Sequence, residues 1–188
     1  MKKDIKLFIA TPAYGYTVNT CYMASIIKFM QATQNHPTLN ITTTIHLEPG
    51  LALITQARNN CVSKFLNSNC THMLFIDSDI GFEPEAIFRL LQKDVPLCLT
   101  PYPVKGYGKN NELQFIMHFK QTDTLTIDKD GFIEISAGPT GFMMMKREVF
   151  DTLVEMYPDK KTFNRQLIDS EVKSNDKNWY AFFETTQD

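Results

Sequence analysis

Nowhere in the 188 residues does an apolar run reach the roughly 20 residues that a membrane-spanning helix needs. The start, Met1-Lys2-Lys3-Asp4, is basic, but Lys6 interrupts the apolar residues behind it, which argues against a secretory signal. Cysteine is sparse. Cys21, Cys61, Cys70 and Cys98 stand far apart, with no pair at zinc-ligand or redox spacing, so reduced thiols in a cytoplasmic protein are expected. Excess charge is missing too. Lys and Arg number 19 against 21 Asp and Glu, a formal net charge of −2, so nothing resembles the basic footprint of a nucleic-acid or anionic-membrane binder. His36, His46, His72 and His118 are scattered and read as incidental rather than as ligands. The glycine signatures are absent as well: no Gly-x-x-x-x-Gly-Lys phosphate loop, no three-glycine dinucleotide turn, no Gly-x-Ser-x-Gly elbow. There is no internal repeat and no low-complexity tract.

What remains is a chain of ordinary composition, 43% hydrophobic and 21% charged, long enough to bury the core of one domain, 1–188. Its first half alternates strand and helix signals. Residues 5–11 read as a strand broken by Pro12, and 19–34 carry apolar residues at helical spacing. The β-branched stretch 40–47 reads as a second strand, 53–66 as a second helix, 84–92 as a third, and 95–100 as a further strand. That order predicts an α/β fold: a single Rossmann-like, mostly parallel sheet flanked by helices, with an antiparallel portion in the second half. Residues 113–119 and 123–128 read as hairpin partners, 142–145 as a buried strand of Phe and three Met, and 146–156 as a helix. The tail from 157 is polar and weakly periodic.

The stretch that carries chemistry is Met73-Leu74-Phe75-Ile76-Asp77-Ser78-Asp79. A short apolar run ends in two carboxylates one residue apart, which an extended backbone would point to the same side. Beyond the carboxyl end of a central strand, such a pair suits a hard divalent cation, Mn2+ or Mg2+, held against phosphate oxygens. The plainer reading of Asp-Ser-Asp is a chain turn or a helix cap, but the next helix begins near Pro84, too far for Asp77 to cap it.

Four segments in order resemble nucleotide-sugar-dependent glycosyltransferases of the A fold, family 2-like and inverting. They are Phe8-Ile9-Ala10-Thr11-Pro12-Ala13-Tyr14-Gly15, Ile54-Thr55-Gln56-Ala57-Arg58-Asn59, His72 through Phe82, and Ala137 through Phe150. The resemblance spans nearly the whole chain. It implies a nucleotide-binding half, 1–104, and a donor-sugar and acceptor half, 105–188. It implies transfer from a nucleotide-diphosphate sugar, a UDP-sugar, to a hydroxyl of a glycan, lipid or protein. Thr11, Pro12 and Tyr14 would line the base and ribose pocket, and Glu48 would read the nucleoside. Arg58 would meet the diphosphate. Asp77 would touch ribose or metal, Asp79 would bind the metal, and Ser78 lies between them in the donor site. Gly138, Thr140 and Gly141 would sit under the donor sugar, although Pro139 replaces a more usual second glycine. Taken singly, Tyr14 reads as an exposed loop aromatic and Arg58 as a solvated helix arginine.

The resemblance also implies an acidic pair carrying the general base, beyond a segment like Trp179-Tyr180-Ala181-Phe182-Phe183-Glu184. Glu184 and Asp188 are the only acids there, neither fits that pattern, and both read more simply as solvated tail. A C-terminally shortened domain is therefore the expectation, with Glu184 as the one candidate base. Two alternatives stay open: a nucleotide-sugar-binding module that does not turn over, and a metal-dependent nucleotidyltransferase. The latter usually opens with a Gly- and Arg-rich loop after its first strand, which Thr11-Pro12-Ala13-Tyr14-Gly15 is not.

Overall fold

The computed structural model describes residues 2–104, 106, 112–120, 124–162 and 178–184. The alternation read from the sequence becomes β1 (Lys3–Ala13), α1 (Thr20–Thr33), β2 (Leu39–Pro49), α2 (Ile54–Leu66), β3 (His72–Ile76), α3 (Pro84–Lys93) and β4 (Leu97–Leu99). The second half adds β5 (His118–Phe119), β6 (Ile135–Ala137), β7 (Phe142–Lys146) and α4 (Arg147–Met156). One five-stranded sheet has the order β2-β1-β3-β7-β4, and only β7 runs against the other four.

Strand periodicity sorts the core into two layers. Ile5, Leu7, Ile9, Leu74, Ile76, Phe142 and Met144 face Tyr22, Ile26 and Phe29 of α1 and Ile87, Leu90 and Leu91 of α3. The intervening Phe8, Ala10, Met73, Phe75, Met143 and Met145 face Cys61, Val62 and Phe65 of α2 and Phe150 of α4. Buried on both faces, the inner strands need continuous apolar runs, which is what the sequence supplies.

The sequence expectations shift in three places. Pro12 does not break β1; it stays in register opposite Glu48. Pairing with β3 ends at Ala10, so Pro12 has a strand on one side only, where a missing N–H costs little. The parallel sheet acquires one reversed strand, because β7 returns from the second half and inserts between β3 and β4. The expected hairpin is replaced by β5 pairing with β6, with Ile127 bridging to Ile133. Asp128 builds the turn of this pairing: its Oδ1 accepts from the N–H groups of Asp130 (2.8 Å) and Phe132 (2.9 Å) and folds the chain back at 128–132. Residues 121–123 lie outside the described residues. No helix among the described residues is long and apolar enough to cross a membrane.

Candidate functional site

β3 ends at Ile76, and the acids lie just past its carboxyl end. The Ile80 N–H donates to the Asp77 carbonyl (3.1 Å), so residues 77–80 form a turn. Strand alternation therefore does not set the direction of Asp79; the turn does. Asp77 itself continues β3: its N–H donates to the Gly141 carbonyl (2.9 Å), next to the last β3–β7 pair, Ile76 and Phe142. Ser78 accepts from the Asn19 N–H through its carbonyl (2.8 Å), and Asn19 caps α1 by accepting from the Cys21 N–H. The turn is thereby tied to two elements.

Arg58 comes in from α2. The helix is packed so closely that Ala57 through Ser63 are all buried, Arg58 at 6% exposure among them. A guanidinium that deep needs compensation. Its Nη2 donates to Asp77 Oδ1 (2.9 Å), and its carbon lies 5.0 Å from the centre of the Phe75 ring. Its Nη1 is buried and has no hydrogen-bond partner among the described residues. A buried donor of this kind is costly unless an acceptor meets it, and a carboxylate or phosphate oxygen is the acceptor that a guanidinium's planar fork matches.

Gly141 and Tyr102 complete the corner. A Cβ at Gly141 would collide with the Tyr102 hydroxyl and Asp77 Oδ2. The Tyr102 hydroxyl is hydrogen-bonded to the Gly141 backbone. Burial pushes its pKa up, and the charges of Asp77 and Asp79 push the same way. Both acids thus bear on one hydroxyl. Tyr102 escaped the sequence reading because Pro101-Tyr102-Pro103 looks only like a strand break; its place after β4, at the carboxyl ends of the strands, is the signal that could have found it.

The other expected residues are distributed unevenly. The Thr11 hydroxyl is fully buried and hydrogen-bonded to the Tyr22 hydroxyl (2.7 Å), and Pro12 is buried in β1. Tyr14 is 68% exposed on the loop after β1. Glu48 stands near the end of β2 with both oxygens engaged: Asn60 Nδ2 donates to Oε1 (3.1 Å), and His46 Nε2 lies 2.8 Å from Oε2. Gly138 nestles against Leu99 and Ile135, and Thr140 is half-buried before Gly141. Glu184 is exposed.

Among the described residues one group of three, His46, Glu48 and Cys61, brings metal-ligand atoms within 4.8 Å of one another. His46, read from the sequence as incidental, thus stands where its ring nitrogen could share a cation with Glu48 and Cys61. Burial and the Glu48 charge push the Cys61 thiol well up, so it stays protonated unless a cation displaces the proton. The imidazole and carboxylate already satisfy each other, and neither Asp77 nor Asp79 belongs to this group.

A groove of about 750 Å³ opens elsewhere, between α3, β4 and the 128–135 turn. None of the expected site residues lines it. Its cations are turned aside: Lys93 pairs with Asp128 and Asp130, and Arg89 Nη2 donates to the Asp130 carbonyl (3.1 Å). An apolar groove with its charges neutralised lacks what a diphosphate needs.

No known family model matches the chain, and no curated protein matches it either. A functional reading stands on the residues and their geometry.

Proposed function

We infer that this chain is a glycosyltransferase of the A-fold type, moving a sugar from a UDP-sugar to a hydroxyl acceptor with inversion. One observation carries the reading: a buried arginine whose Nη1 has no partner among the described residues is clamped to the first of two acids just beyond a central strand. Arg58 there supplies a fixed positive donor for diphosphate. Asp79 and Asp77 offer the hard oxygen ligands that Mn2+ or Mg2+ takes, and this donor set fits such a cation beside phosphate. When bound, the cation supplies Lewis-acid stabilisation of the departing nucleoside diphosphate.

The chain's own groups do the rest. Asp77 fixes the guanidinium that faces the growing charge on the leaving oxygens, and the fixed positions of donor and acid leave little reorganisation for the reaction itself. The Gly141 carbonyl, which accepts from the Asp77 N–H, holds Asp77 in place. The bond between sugar and phosphate breaks as the acceptor oxygen bonds to the anomeric carbon from the opposite face, and the hydroxyl proton passes to a carboxylate base. Glu184 is the first residue to mutate for that role.

Calorimetry with UDP and a UDP-sugar, in manganese and in chelator, tests the reading. Asp79→Ala should abolish the metal dependence. Arg58→Ala should weaken UDP by roughly tenfold or more while leaving uridine unchanged, as expected for a charge-assisted phosphate contact. Equal losses for UDP and uridine would leave Arg58 a structural role only. Release of UDP in the presence of hydroxyl acceptors then separates a transferase from a binding module.

A further inference from the structure

Residues 178–184 run along α2 and reach the donor corner at two separate points. At the first, the Trp179 indole N–H donates to Asn60 Oδ1 (2.7 Å) in a buried bond, and Asn60 Nδ2 donates to Glu48 Oε1 (3.1 Å). The chain of bonds has only one possible direction. An indole can only donate and a carboxylate can only accept, so the amide between them is locked in one orientation. With His46 on its other oxygen, Glu48 is held from both sides. At the second point, the Phe183 N–H donates to Asn59 Oδ1 (3.0 Å). The Phe183 ring stands edge-on to Phe75, with centroids 5.5 Å apart at 85°, and Phe75 is the ring that Arg58 lies over.

Three consecutive helix residues thus divide the work. Arg58 faces the acids, Asn59 grips the backbone of the 178–184 segment, and Asn60 connects that segment to Glu48. A solvated tail would not bury the chain's one tryptophan or supply the donor for a buried asparagine.

We propose that residues 178–184 belong to the donor site, with Trp179 positioning Glu48 for the nucleoside and Phe183 positioning Arg58 for the diphosphate. The proposal rests on the donor-site reading above and extends it to which part of the ligand each residue serves. Neither aromatic need touch the ligand. Trp179 acts by leaving Glu48 one orientation, and Phe183 by fixing the ring beneath the guanidinium.

The test uses three probes on the full chain with magnesium: inorganic pyrophosphate, uridine with the other common nucleosides as a panel, and UDP. Trp179→Phe keeps a ring but removes the N–H. It should weaken the preferred nucleoside and UDP by about tenfold, the scale of one hydrogen bond in a chain ending on a charged group, and leave pyrophosphate unchanged. Phe183→Leu should do the reverse, weakening pyrophosphate and UDP but not the nucleoside. A merely structural segment would not give this crossed pattern. Proportional loss of all three probes in both variants, or no change in either, overturns the proposal. Wild-type chain that binds neither pyrophosphate nor any nucleoside instead overturns the donor-site reading beneath it. A readout needing no variant is available because Trp179 is the sole tryptophan. Its emission should change on addition of the nucleoside and not of pyrophosphate, and emission blind to both overturns the assignment.

Discussion

At the scale of single residues, chemistry was legible where a residue type is expensive to bury without cause. Asp77 and Asp79 could be picked from the sequence because two acids closing an apolar run need partners, whereas Arg58, singly a solvated helix arginine, was picked only by its place in a motif; Arg58 and Asp77 do pair. Thr11 was selected by its place in a motif, yet its hydroxyl serves Tyr22 in the core. Tyr102 and His46 were passed over because nothing local distinguishes them; Gly141, 39 residues from Tyr102, and Cys61 on a helix beside His46 do. Two glycines make a controlled comparison. Gly141→Ala would press a methyl into Asp77 Oδ2 and the Tyr102 hydroxyl, displacing a carboxylate already tied to Arg58. On the proposed function, the expected outcome is loss of the metal dependence of UDP binding, measured by calorimetry with and without manganese. Gly138→Ala meets only the methyl ends of Leu99 and Ile135, which can give way. It should lower stability by about 1–2 kcal/mol while keeping the metal response.

At the scale of elements, α2 shows what periodicity reveals and what it hides. Its apolar spacing marks a helix, but its Arg58, Asn59, Asn60 and Ser63 suggest one wet face. In the fold that face is dry, because the 178–184 segment covers it and supplies partners from more than a hundred residues away. No local pattern announces such cover. The end of α2 follows the same rule. Arg147, the first residue of α4, donates Nη2 to the carbonyls of Phe65 and Ser68 (3.0 Å each) and Nε to that of Cys70 (2.8 Å). Its guanidinium also lies 4.4 Å from the centre of the Phe65 ring. A cation at a helix C-terminus opposes the negative end of the dipole, and only a planar fork reaches three carbonyls at once. Arg147→Lys keeps the charge and loses most of the bonds. We expect a drop of about 2 kcal/mol in unfolding free energy, read as a lower urea midpoint with an unchanged slope. A midpoint equal to that of the wild type would show that charge alone caps the helix.

For the whole molecule, alternation of strand and helix gave the sheet and its two covered faces, because burial on both sides leaves a continuous apolar run in each inner strand. The direction of β7 was not legible: the apolar run Phe142 to Met145 carries no signal of which way it runs in the slot between β3 and β4. The sheet's amino-end rim sets how the fold responds to acid. His72 opens β3 with Nδ1 2.8 Å from the Thr71 hydroxyl, while its Nε2 is buried with no partner among the described residues. Burial above all, with the nearby charges of Lys3 and Lys146 and against the opposite pull of Asp94, lowers its pKa to about 4. Its ordinary value is 6.5, so between pH 6.5 and 4 the unfolded chain binds the proton that the folded one refuses. Stability should fall through that window, by at most about 3 kcal/mol, and this contribution should level off below it. A second decline follows from acids held low. Hydrogen-bonded ion pairs to Lys146 and Lys3 bring Asp94 to about 2, and Lys93 does the same for Asp128, both from 3.8. Their stabilisation is complete above 3.8 and is lost as pH falls towards 2. The urea midpoint plotted against pH should therefore show two steps. His72→Gln should remove the upper step and spare the lower one, because only the imidazole titrates there. An upper step that survives the substitution would place the refused proton on another group.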